Sequence, residues 1–147
     1  GMVKIAKKNC INYSQIKILK KDILNIELKE LNYITSFFTI QFIHPSKRQK
    51  LFDKIYKGLK WGGGFLFFEK VRAPDARFQD ISTLLYSDYK ASMGYSSEEI
   101  LNKAKSLKGI LEPFSTQGNL DILSRSGFKD VMSIYKYITF EGFIAIK

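Results

Sequence analysis

Few side chains in this sequence are of types and spacings that could do chemistry, and they lie far apart along it. His44, the only histidine, has no second metal ligand near it and reads as the entry residue of a helix. Cys10, the only cysteine, can form neither an internal disulfide nor a thiolate metal site by itself. Gly62-Gly63-Gly64 invites a phosphate-loop reading. It follows a helical pattern and enters a strand, the reverse of the order that aims N–H groups at phosphate, so it reads as a turn. Tyr86, Tyr89 and Tyr95 with Lys90 could stack on bases and pair with the backbone of RNA, though such a set more often serves an interface or core. Phe37 and Phe38 fall near the C-terminal end of a strand, where α/β sheets bind ligands, though core packing would also explain them. Asp22 suits a turn or cap, with Ile23 entering the core. No general acid/base pair stands out, a pattern that suits chemistry dependent on positioning.

The elements that must place these residues follow from periodicity. Met2, Ile5, Ala6 and Cys10 give a short amphipathic helix over 2–12. Ile16 to Lys21 predicts a brief strand closed by Asp22, and Tyr33 to Phe42 a strand apolar enough to be buried on both faces. His44-Pro45-Ser46 opens a helix whose Leu51, Phe52, Ile55, Tyr56 and Leu59 form one stripe. The glycines should then turn the chain into a buried strand, Phe65 to Val71, completing a βαβ unit. Residues 76–112 carry two helical patterns broken at Met93-Gly94-Tyr95, with a capping box from Ser96 to Glu99. A helix over 117–126 should end at Gly127. Val131 to Thr139 and Phe143 to Ile146 read as strands of a hairpin joined through Glu141-Gly142. The expected class is α/β, a mostly parallel sheet ending in an antiparallel pair, as a single domain over 1–147.

Composition limits the partners. A hydrophobic share of 45% with 14% aromatics is that of a folded chain. The net charge of +10 is uneven: residues 1–60 hold 13 of the 24 basic and 4 of the 14 acidic residues, a balance of +9. That field favours a polyanion such as tRNA, against the alternative of a solvated lysine-rich surface. The N-terminus has no signal-peptide core, and no run suits a membrane helix. The expectation is a soluble, cytoplasmic protein with no membrane partner, in which Gly1 is a tag remnant before Met2.

Several fragments, taken in order, resemble one family. They are Thr39 to Gln49, Lys54 to Leu59, Gly62-Gly63, Glu69-Lys70, Met93 to Ser96 with Glu99-Ile100, and Ser126-Gly127-Phe128. Together they are similar to the carboxy-S-adenosylmethionine synthases, class I methyltransferase-fold proteins of tRNA wobble-uridine modification. The resemblance implies a truncated Rossmann-like sheet and a methyltransferase or related transferase. Its cofactor would be S-adenosylmethionine or S-adenosylhomocysteine. It places Asp22 on the adenine amino group, Ile23 on the ring and Phe37 at a cofactor contact that the family fills with asparagine.

It also implies departures. Residues 1–147 lack the family's first strand with its glycine-rich turn and the second strand with its ribose-binding acid, so weak or no cofactor binding is expected. The family's carboxylate-binding arginine is placed at Ile122, with Arg125 one turn away. In the implied strand order, 3-2-1-4-5-7-6, two absent strands leave a gap of about 14 Å at roughly 4.8 Å per spacing. The fourth strand then has an open edge, which the third strand could close or a second copy could pair with; the expectation is a homodimer burying part of the Phe37–Phe42 edge or the flanking N-terminal helix. The alternatives are a non-catalytic oligomerisation or RNA-binding remnant of the fold, or a piece of a longer enzyme.

Overall fold

The computed structural model describes residues 1–147. Helix α1 (Met2–Asn9) is followed by irregular chain. The strand expected over Ile16 to Lys21 does not form. Those residues are coil, and Ile16 and Leu19 are 45% and 46% exposed, because no neighbouring strand is there to pair with them. Asp22 instead caps a 3₁₀ turn, Ile23–Asn25.

Strand β1 (Leu31–Phe37) stops earlier than the apolar run suggests. The chain leaves it at Phe38, in the left-handed region at φ 50°, and makes a 3₁₀ turn over Ile40–Phe42. Its alternating half-exposure also differs from the expected two-sided burial, since β1 lies at the edge of the sheet.

Helix α2 (Pro45–Gly58) forms as its sequence requires. His44 Nδ1 accepts the Ser46 N–H at 3.3 Å, Pro45 occupies the first turn, and Leu51, Phe52 and Ile55 are buried. Strand β2 (Leu59–Lys70) begins directly at the helix end. Gly62, Gly63 and Gly64 therefore lie inside the strand, at an irregularity in its pairing with β1, and are not the turn.

Helices α3 (Ala76–Ser92) and α4 (Ser97–Leu107) break where expected. The Ser96–Glu99 capping box is formed in both directions. Helix α5 (Thr116–Ser126) ends on left-handed Gly127. Strands β3 (Asp130–Tyr137) and β4 (Phe140–Ile146) make the hairpin, but its turn is Ile138-Thr139. Glu141 and Gly142 are strand residues of β4.

The four strands run in the order β1-β2-β4-β3. β1 and β2 are parallel, and β4 is antiparallel to both β2 and β3, so three of the four strands point the same way. This is the 4-5-7-6 half of the order the resemblance implies. Phe65, Phe67, Phe143 and Ala145 face the core under α2 and α5, with Phe52 edge-on to both Phe65 and Phe67. No helix is long and apolar enough to cross a membrane.

Candidate functional site

Where β1 and β2 end, the loop after β1 closes around a buried carboxylate. Phe38 N–H still donates to the Phe68 carbonyl at 2.8 Å. The next three amides then converge on Glu69, itself 3% exposed. Thr39 and Ile40 donate to Oε1 at 3.2 and 3.0 Å, and Gln41 to Oε2 at 2.8 Å. Gln41 carries the contacts outward: its side-chain oxygen accepts the Lys70 N–H at 2.8 Å and its carbonyl accepts from Arg48 at 3.1 Å. The Arg48 guanidinium also donates to Ile43 O and lies 4.4 Å from the Phe114 ring centre. Burial pushes the Glu69 carboxyl up to about 7, opposed by the three amides and by Arg48. A neutral acid can keep all three contacts, accepting two through its carbonyl oxygen and one through its hydroxyl.

A second buried carboxylate, Glu141, sits directly opposite Glu69 in the β2–β4 register. It accepts from Thr116 Oγ1 at 2.5 Å and Ser133 Oγ at 2.9 Å, and pairs with Lys136 at 3.7 Å. The two carboxylates thus lock the strand ends to the loop on one side and to α5 and β3 on the other.

Beyond the clasp, α3 and α4 enclose a cleft of about 710 Å³, lined among others by Phe38, Gln41, Lys70, Tyr86, Lys90 and Phe140. The ammonium groups of Lys70 and Lys90 lie 5.1 and 4.5 Å from the Tyr86 ring centre. Neither has a carboxylate partner, since the one ion pair in the molecule is Lys136–Glu141. Burial lowers the Lys70 pKa and the Lys90 charge lowers it further, while burial raises that of the Tyr86 phenol. Two uncompensated cations around an aromatic ring suit an anionic group brought to the strand ends.

The sequence-derived site residues are only partly assembled. Asp22 Oδ1 accepts the Leu24 N–H at 2.9 Å, and Lys54 Nζ holds the carbonyls of Ile23 and Leu24 at 3.2 and 2.9 Å. Phe37, 55% exposed, stacks on Phe68 at 5.2 Å. No hydrogen bond or ring contact joins Phe37 to Asp22 or Ile23. Ile122 is a core residue of α5 at 2% exposure, and Arg125 donates to Gln49 at 2.9 Å. Of the tyrosines, Tyr86 reaches the cleft against Phe140, Tyr89 packs on Tyr137 and Tyr95 is exposed.

In the sequence, Glu69 and Lys70 fall in a buried strand and in a family fragment, with no role assigned to them in a site. Their signal was available, as a Glu-Lys pair ending an otherwise apolar strand. For S-adenosylmethionine the fit is partial. Asp22 Oδ2 has no partner and is exposed beside half-buried Ile23, but residues 1–147 supply no cluster of glycine amides for the methionine part.

No protein-family model matches the chain. It is 38% identical over 148 residues to the carboxy-S-adenosyl-L-methionine synthase of Campylobacter jejuni, covering 100% of this chain and 63% of that protein. It is 34% identical over 139 residues to the synthase of Staphylococcus epidermidis, covering 95% and 61%. The chain therefore spans less than two thirds of the length of these relatives. Among solved structures it is similar to human N-acetylserotonin methyltransferase in complex with SAM. There the TM-score is 0.65 and the identity 20%, over 99% of this chain and 37% of that one. A SAM-dependent methyltransferase from Thermotoga maritima matches with a TM-score of 0.62 and 20% identity, over 99% and 68%.

Proposed function

We propose, from the premise that this chain is a methyltransferase-fold relative of the carboxy-S-adenosyl-L-methionine synthases over its whole length, that residues 1–147 form the acceptor side of an S-adenosylmethionine-dependent transferase site. The observation that carries this is the loop after β1, clasped by Glu69 at the strand ends and opening onto the Lys70–Tyr86–Lys90 cleft. In this reading Asp22 and Ile23 meet the adenine, Phe37 flanks it, and the two lysines receive an anionic substrate group. When bound, the cofactor supplies an activated one-carbon group. The chain's own part is to position, which needs no acid/base pair. A place in cytoplasmic tRNA modification is the finer proposal, supported by the net charge of +10 and by the family resemblance of the sequence.

The open edge of β1 supports assembly. A second copy pairing along that edge would satisfy its free N–H and C=O groups in a symmetric dimer.

The site reading is tested by titrating isotope-labelled chain with millimolar S-adenosylhomocysteine and following backbone amides. Shifts should concentrate at Asp22 to Leu24 and at Phe37-Phe38, and Asp22→Ala should weaken them by about 1.5–3 kcal/mol in affinity. Shifts confined to other residues would overturn the assignment.

A further inference from the structure

The sheet has two faces, and α2 and α5 cover one of them. On the other, successive rows cross all four strands in register: Tyr33, Gly64, Ile146 and Asp130; then Thr35, Leu66, Ile144 and Met132; then Phe37, Phe68, Gly142 and Tyr135. This face is largely open, with Tyr33 49%, Met132 60% and Tyr135 48% exposed.

The third row brings three rings together. Phe68 extends over Gly142, where a Cβ would come within 2.4 Å of its ring. That reach lets it stack on Phe37 at 5.2 Å and 13° on one side and meet Tyr135 at 6.0 Å on the other. Tyr33 covers Gly64 in the same way, 2.6 Å from where a Cβ would stand. Just past the third row, Lys70 and Lys90 flank Tyr86 with no acidic partner, in a molecule of net charge +10.

We propose that this face binds an unpaired nucleic-acid strand, its bases stacking on the exposed rings of Phe37 and Tyr135, which Phe68 braces from between them, and its phosphates drawn to Lys70 and Lys90. Exposed rings on either side of Phe68 accept bases of any identity, and free lysines at the end of the row complement the phosphates. An acidic peptide would match the charge but not the flat rings. Duplex would match the charge but offers no free base face. Because neither stacking nor phosphate contact reads the 2′-hydroxyl, RNA and DNA strands should bind alike. The binding needs no cofactor, but it draws on Phe37, Lys70 and Lys90 of the proposed transferase site, and Tyr135, which lies outside that site, separates the two in the test.

The test is fluorescence anisotropy of the full chain with labelled oligouridylate, oligothymidylate and a duplex of equal length. Both single strands should bind at least tenfold more tightly than duplex. Tyr135→Leu and Phe37→Leu, which keep an apolar side chain but no ring, should each weaken binding roughly tenfold, and Tyr135→Phe should restore it. Equal affinity for duplex, or indifference to both leucine substitutions, would overturn the proposal. So would light scattering showing that the same substitutions dissolve a dimer, since a second copy would then own the face.

Discussion

Glu69 does two things at once, and both follow from where it lies. It accepts three backbone amides of the loop after β1, and it sits opposite a second buried carboxylate on the adjacent strand. Replacing it by alanine strands those amides. Glu69→Ala should lower stability by about 1–3 kcal/mol, read as a fall in the urea midpoint, and an unchanged midpoint would show that the clasp is idle. Its titration gives a second readout. The carboxyl is raised from 4.5 in the unfolded chain to about 7 in the native one. A raised carboxyl contributes stability in full below 4.5, and loses it as the pH climbs through 7. Unfolding free energy should therefore decline between pH 5 and pH 8, and Glu69→Gln should flatten that decline. Phe38 belongs to the same account: its φ of 50° is strain for an aromatic residue, held because the next three amides are fixed.

At the level of elements, what could be read in the sequence was what short-range rules decide. The His44-Pro45 helix entry, the Ser96–Glu99 box and the left-handed Gly127 each depend on a few adjacent residues, and each is present. The strand at Ile16 to Lys21 failed because β-propensity needs a neighbour to pair with. Gly62 to Gly64 and Glu141-Gly142 failed for another reason. Glycine signals a turn locally, but here it makes room across strands, for Tyr33 over Gly64 and for Phe68 over Gly142. Gly142→Ala should force the Phe68 ring aside at a cost of about 1–3 kcal/mol, visible as a lowered melting temperature. Full stability in that variant would show that the close approach is not needed. The edge of β1 yields its own test. Thr35→Lys places a charge in the middle of the open strand, so it should convert a dimer to a monomer in light scattering without unfolding the chain. A dimer that survives would move the interface elsewhere.

For the whole molecule, the sheet explains which part of a site the chain can hold. Three strands point their C-terminal ends toward one rim, and the clasp, the cleft and Phe37 gather there. The adenine-side pair, Asp22 and Ile23, was placed by family resemblance and not by any periodicity. No short-range rule links it to a rim reached only through the fold. The resemblance assigns the methionine and ribose contacts to no residue of 1–147. On the function proposed above, residues 1–147 would hold the acceptor side and only a fraction of a cofactor site. Isothermal titration with S-adenosylhomocysteine tests that most directly. The dissociation constant should lie above about 1 mM, near −4 kcal/mol; saturable binding in the micromolar range would contradict it.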